Sequence, residues 1–544
     1  ELIMVIITEK TAIIEFFIRI INLDSHEILL QSDKEKRQIL SAPYGPLTHL
    51  KAVLAPNTKY DISYKNLELC LCYTYEPETV IRDGVVFHED NIKKQSFHQE
   101  ICHFTPYKNW MNDPNGLCWY QGHYHMFYQF HPYAPEPGCM YWGHAVSEDL
   151  LHWRHLPVAL EPQDEIMNGC NFRGGAWSGS ALSFSDHVKL FFTRHIGPVS
   201  DRKIKKEYQV LVTSRDMIHF SKESIIVSGQ PEPGVSSDIR DPKIFRYEES
   251  WYMVLGSAYK NNPAVLLYQS QDLIQWKYNG ILYLEESADT IAFECPDFFE
   301  MNGKFILIVS KMRHVDEMGR KDTVHYYVGN FDGSHFYPEA EKLLDFGGNL
   351  YAVQSFSRLN RRLALGWISD FYNEHQVTQN SIYGSMSLPR ELRFDKQKLL
   401  FAPAKEVYSL LGQVIFKDFT ESAKIPLPDS SYYACLEFSA PCDFSIHLNE
   451  RRDGASFDLI SRSEIIEFVT KGVASQSVRF CTTPVKCLKL EILMDRRTCE
   501  VFINNGEYSG TKTFYGDGSC LTFSFSAPAS TTTKPCLTIK SMTG

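Results

Sequence analysis

DPNGLCWYQGHYHMFYQF (113–130), DPKIFRYEESWYMVLGSA (241–258) and ECPDFFEMNGKFILIVSK (294–311) align without a gap. Each reads as strand, turn, strand, with the turn ending nine residues after the first position, at Gly122, Ser250 and Gly303. WSGSALSFSDHVKLFFTR (177–194) and AVQSFSRLNRRLALGWIS (352–369) keep the same second-strand pattern. A separate element, S-x-D-[LM]-[LI]-[HQ]-[WF], recurs as SEDLLHW (147–153), SRDMIHF (214–220) and SQDLIQW (270–276), with a looser relative FDGSHF (331–336). Five strand-rich repeats, spaced roughly 50–65 residues apart, predict a five-bladed β-propeller. The innermost strands of a propeller surround one funnel, so equivalent positions point into the same space. Here those positions are Asp113, Trp177, Asp241, Glu294 and Ala352. One Asp before a Pro is ordinarily a turn residue. Three acids at one repeat position point instead to a carboxylate site.

Around this segment the chain divides further. Residues 1–97 read as a β-rich accessory domain that ends in the polar stretch HEDNIKKQS, and residues 98–400 form the propeller. FAPAKEVYSLLGQ (401–413) is expected to be a linker helix, and 414–544 alternates strands and turns as a β-sandwich does. The fold class is all-β. The 544 residues are 44% hydrophobic and 22% charged, which is globular composition. A net charge of −11 without a Lys/Arg run argues against nucleic acid as a partner. No apolar run is long enough to span a membrane, and Glu9, Lys10, Glu15 and Arg19 interrupt the apolar N-terminus, so it is not a signal peptide as it stands. The 14 cysteines have no repeating spacing and read as buried thiols of a reducing compartment. The expected location is cytoplasmic, or secreted if a signal segment precedes Glu1.

Converging carboxylates are the equipment of glycosidic bond cleavage: one ionised to attack the anomeric carbon, one protonated to serve the leaving oxygen. Crowded like charges raise a pKa, which supplies the proton donor. A third acid can oppose the positive charge of the transition state. Trp110, Trp142 and Trp177 suit the apolar face of a sugar, although each also fits packing between sheets. His103, His123, His125, His131 and His144 cluster in sequence, but strand-surface packing explains them better than a metal. No cofactor and no metal are expected.

WMNDPNG (110–116), IRDP (239–242) and FECPDFF (293–299) resemble the three signature motifs of glycoside hydrolase family 32, the family of invertases, sucrose-6-phosphate hydrolases, levanases and inulinases. YQFHP (128–132), YWGHAVSEDLLHW (141–153), WSGS (177–180), LPREL (388–392) and LEILMDRRTCEVFINNGE (490–507) fit as well. The resemblance implies a five-bladed propeller plus sandwich and retention of anomeric configuration. It makes Asp113 the nucleophile, Glu294 the acid/base and Asp241 the transition-state stabiliser. It places Asn112, Gln129, Trp142, Trp177, Ser178, Arg240 and Trp367 around the fructosyl unit. Trp177 stands where many relatives have Phe, and Asn349 where many have Asp. Residues 1–97 match nothing in the family core. They are expected to pack on the propeller, bind sugar or mediate a homo-oligomer.

The leading reading is thus a retaining β-fructofuranosidase acting on sucrose, sucrose 6-phosphate or fructo-oligosaccharides. Its alternatives are a fructosyltransferase, an inulin- or levan-active fructan hydrolase, an arabinan-active propeller enzyme and a non-catalytic fructan-binding protein. Lys108 and Arg173 are the candidate phosphate contacts.

Overall fold

The computed structural model describes residues 2–21, 26–34, 37–40, 46–88, 98–167, 173–197, 205–287, 289–357, 359–372, 382–395, 398–427, 430–472, 478–517, 520–526 and 534–543. The chain is nearly all-β, a β-propeller followed by a β-sandwich, with two four-residue helices and one 3₁₀ turn among the described residues.

The propeller sheets are built from meanders of successive antiparallel strands. In one nine-stranded sheet, Asn109–Tyr120, His123–His131, Cys139–Ser147 and Arg154–Leu160 form a first run. Gly174–Ser183, Val188–Ile196, Lys206–Ser214 and Ser224–Ser228 form a second. A short parallel pairing, Cys139 to Gly174, joins the two. Val235–Tyr247 opens the next sheet, Ala292–Met301 the next, and Leu350–Ser355 a last one that runs through Arg362–Ile368, Arg390–Asp395 and Lys398–Pro403. The ring is closed by the late segment Ile382–Tyr383, which pairs with Asn109 and Trp110 of the first strand. The middle strands are apolar on both faces because neighbouring sheets cover both: Phe191, Val254, Leu255, Ile306 and Leu307 are all buried completely.

The described residues between Leu2 and Phe87 fold into two four-stranded sheets with their own core of Ile14, Phe16, Ile18, Ile28, Leu30 and Ile62. The strand Ala12–Ile20 explains the apolar N-terminus. Phe16 faces that core, while Phe17 faces the propeller, edge-on to Tyr133 and Tyr141. Burying such a ring contributes about 2–3 kcal/mol. The expected boundary at residue 97 lies outside the described residues.

The helix expected over 401–413 is instead a 3₁₀ turn, Lys405–Leu410, between two strands. So short a helix is marginal by itself, and both flanks are taken by sheets. Lys398–Pro403 pairs with Arg390–Asp395, and Leu411–Phe419 with Cys536–Met542. The sandwich that follows has two six-stranded sheets around Phe457, Leu459, Phe468, Ile492, Val501 and Ile539. No helix among the described residues is long and apolar enough to cross a membrane.

Candidate active site

All the inner strands break register at one level. The irregularities fall between Met111 and Pro114, Trp177 and Gly179, Arg240 and Lys243, Glu294 and Asp297, and Tyr351 and Gln354. Each inserts an extra residue, a β-bulge that re-aims the side chains beside it. Asp241, Cys295 and Ala352 adopt the left-handed φ of 64°, 49° and 52° that the bulge imposes. This register changes the equivalence expected from the ungapped alignment. Asp113, Ser178, Asp241, Cys295 and Ala352 occupy one level, and Glu294 stands one residue earlier, level with Trp177, Arg240 and Tyr351. The reason is a second bulge in Asn109–Tyr120, between Asn115 and Cys118, which the strands carrying Asp241 and Glu294 lack.

The three acids nevertheless meet. The Cys295 thiol lies 3.4 Å from Asp113 Oδ2 and 3.6 Å from Asp241 Oδ2, and the Cys295 amide donates to Asp241 Oδ2 at 2.8 Å. Asp113 also accepts from Ser178 Oγ at 2.7 Å and from Asn112 Nδ2 at 3.2 Å. Glu294 is gripped from two sides, by Arg240 Nε on Oε1 (3.1 Å) and by the Tyr351 hydroxyl on Oε2 (2.6 Å). Burial, reinforced by the charge of Glu294, raises Asp113. Burial also raises Asp241, to about 8, with Glu294 and Asp113 adding to it and Arg240 opposing. Burial and the mutual repulsion of the carboxylates thus work against ionisation of Asp113 and Asp241.

Arg240 is itself fixed by acids that sequence reading missed. Its Nη1 donates to Glu207 (2.7 Å) and Asp238 (2.6 Å), and Glu207 also binds His195 Nδ1 and the Ile239 amide. His195 stacks on Trp177 with centroids 3.6 Å apart, and the Arg240 guanidinium lies over the Trp177 ring, 5.4 Å from its centroid. Thr193 Oγ1 accepts the Asp241 amide, and Ser310 Oγ does the same for Ala352, both at 3.0 Å. The sequence signal for Thr193 and Ser310 was a hydroxyl recurring in the second strand of the repeat. Glu207 and Tyr351 carried no repeat signal.

Other expected residues are placed differently. Trp142 is fully buried between sheets, packed on Phe127 and Phe192, with its indole N–H on the Trp177 carbonyl. Gln129 is buried and donates to Ala176 O at 3.0 Å. Both support the wall under Trp177 and Ser178. Trp110 stacks on Tyr383 and stands edge-on to Trp367, and its indole N–H holds Asn112 at 2.7 Å. Lys108 is half-buried beside Cys70, and Arg173 is exposed with its carbonyl on the Gly197 amide. Asn349 is buried, bonded to Ser369 O and Lys512. The histidines do not form one cluster. His125 and His144 are a buried pair 3.0 Å apart, His131 binds Cys139 O, and His103 lies at the sandwich seam. Among the described residues, no three His, Cys, Asp or Glu are arranged to hold a metal ion.

A propeller whose bulged inner strands bring three carboxylates together, with aromatic walls and a sandwich behind it, defines a glycoside hydrolase. The chain belongs to glycosyl hydrolases family 32: residues 103–403 match the family's N-terminal domain and 447–542 its C-terminal domain. It is 31% identical to a sucrose-6-phosphate hydrolase of Zymomonas mobilis over 443 residues, covering 75% of this chain and 84% of that one. It is also 31% identical to a levanase of Bacillus subtilis, covering 74% of this chain and 64% of that one. A solved family 32 structure from Bifidobacterium adolescentis superposes with a TM-score of 0.91 at 26% identity, over the whole of both chains.

Proposed function

We propose that this enzyme hydrolyses the terminal β-D-fructofuranosyl bond of sucrose, sucrose 6-phosphate or short fructo-oligosaccharides, with retention, by double displacement. The observation that carries the reading is the shared grip on the acids: one cysteine touches Asp113 and Asp241, while Arg240 and Tyr351 hold Glu294 beside them. Asp113, steadied by Ser178 and Asn112, attacks the anomeric carbon. Glu294 protonates the leaving oxygen and then takes a proton from the water that releases fructose. Asp241 opposes the charge that develops on the ring. With Asp113 and Asp241 raised, the site favours holding a proton among its carboxylates. A cationic fructosyl ring favours ionised Asp113 and Asp241, the forms that attack and stabilise it. Arg240 divides its charge between Glu294 and the pair Glu207 and Asp238, which also bind Lys205.

The catalytic domain is read as a five-bladed propeller, the two runs of the nine-stranded sheet counting as separate blades. The N-terminal β-structure is read as an accessory domain docked on it. The family match begins at residue 103, whereas the Bifidobacterium structure is matched along the whole chain.

The test is Glu294→Gln assayed on sucrose and on a nitrophenyl β-fructofuranoside, whose leaving group needs no proton. Loss of kcat/KM is expected to be about 10²-fold or more on sucrose and less than about 10-fold on the activated donor. NMR of the first anomer released should show retention. Equal losses would remove Glu294 from its role, and inversion would remove Asp113.

A further inference from the structure

One layer beneath the acids, the register aligns five polar residues: Asn115, Ser180, Lys243, Asp297 and Gln354, each two residues past the bulge position of its inner strand. All are buried, Asn115 and Asp297 completely. Burying a lysine, a carboxylate and an amide where valine or leucine would pack is costly unless each is bonded. Their bonds run from sheet to sheet. Ser180 Oγ donates to Pro242 O at 2.6 Å. Lys243 Nζ donates to Asp297 Oδ2 (3.3 Å), Gln354 Oε1 (3.2 Å) and Ser355 O (2.7 Å). Asp297 Oδ2 accepts the Ser355 amide at 2.6 Å. Gln354 Nε2 reaches back to Cys295 O at 2.8 Å and, more weakly, Pro296 O at 3.4 Å.

The last contact matters most. The bulge takes Cys295 and Pro296 out of the ladder of their own sheet, and Pro296 has no N–H. Cys295 holds a left-handed φ, and its amide carries Asp241 while the preceding residue is Glu294. A shift of Cys295 therefore reaches Glu294 directly, as its chain neighbour, whereas Asp241 is touched only through a side-chain hydrogen bond and keeps its own backbone amide on Thr193. The lysine and aspartate hold the amide of Gln354 in the orientation that grips the Cys295 peptide.

We infer that Gln354, oriented by the Lys243–Asp297 pair, is a positioning residue that aims the Cys295 peptide and with it the proton donor Glu294. The inference rests on the acid/base reading of Glu294.

The experiment compares Gln354→Met, which has neither donor nor acceptor, and Gln354→Glu, which keeps the acceptor for Lys243 but loses the donor. The full-length chain is used, on sucrose and on the nitrophenyl donor, with Glu294→Gln alongside. Both Gln354 variants should lose about 10-fold or more in kcat/KM on sucrose and less than about threefold in kcat/KM on the activated donor, since this parameter reports only the step in which the leaving group departs. The ratio between donors does not depend on the fraction of folded enzyme, so a merely structural role leaves it at one. Equal losses on both donors, or no loss, overturn the inference. If Gln354→Met does not fold, Gln354→Glu decides, and failure of both to fold assigns Gln354 to stability and overturns it. If Glu294→Gln itself shows no donor dependence, the acid/base reading falls and takes this inference with it. A selective Glu294→Gln with unselective Gln354 variants refutes the positioning role alone.

Discussion

Two clusters of buried acids lie in this molecule, and they behave in opposite ways. At the seam between propeller and sandwich, Asp495 accepts the amides of Ile101, Cys102 and His103 and the His103 ring. Glu500 binds the other ring nitrogen of His103 and the Arg390 guanidinium, which is sandwiched between Phe401 and Phe502. Burial opposes ionisation there; at Asp495 and Glu500 the bonded partners win, whereas Asp345, on the same Arg390 guanidinium, is raised by burial. Asp495 is held down to about 2, Glu500 is lowered, and His103 is raised to about 10. At the active site Asp113, Asp241 and Glu294 lie beside Arg240, which also binds Glu207 and Asp238, themselves paired with Lys205, and Asp113 and Asp241 are raised. Residue type is the same in both places. The ratio of carboxylates to cations decides whether a buried acid cements the fold or is held at a cost for chemistry.

The sharpest break of that comparison is one substitution in each cluster. Asp113→Asn should lower kcat/KM on sucrose by on the order of 10³-fold or more while leaving Tm unchanged or higher, since it removes a crowded charge. A fall in Tm together with the activity would place Asp113 among the cementing acids. Asp495→Asn should do the reverse. It should destabilise by about 3 kcal/mol or more, read by urea titration, because it leaves a buried imidazolium short of its partner. Its kcat per titrated active site should stay within about twofold. The pH dependence of the seam follows from its shifts. The raised His103 contributes stability that is complete below its ordinary 6.5 and lost as pH rises through about 10. The lowered Asp495 contributes stability complete above its ordinary 3.8 and lost as pH falls through about 2.

The smallest effect is the most discriminating. Asp241→Asn should raise Tm near neutral pH, by on the order of a few degrees. A raised carboxylate makes the native state hold a proton that the unfolded chain releases above 3.8, so native stability falls as pH rises from there towards about 8. The amide removes that cost. Its advantage should grow over that range and vanish below 3.8, as thermal melts at several pH values would show. A Tm below the parent's at pH 7 would mean that the Cys295 amide and Arg240 outweigh burial at this position.

Sequence alone determined the class of sheet, the repeat, the three acids and the family. Short β-branched and aromatic runs bounded by regular turn signals survive in each repeat, and the acids sit in motifs too specific to arise from packing. The strand class of the apolar N-terminus was legible for the same reason. What lay outside its reach is whatever depends on contacts between distant segments. The ungapped alignment set Glu294 level with Asp113. Only strand pairing showed the extra bulge near Gly116 that moves Glu294 one position earlier. The stretch around Lys405–Leu410 has helix-forming composition, but sheets on either side capture its flanks. Trp142 reads as a sugar platform and is a core residue, because the run of strands that covers it begins 32 residues later in the chain, at Gly174. Glu207, Tyr351 and Gln354 reach the site across sheet boundaries, from positions that no local pattern distinguishes. Local pattern sets which elements form; tertiary packing decides which charges share a pocket, and that sharing sets the chemistry.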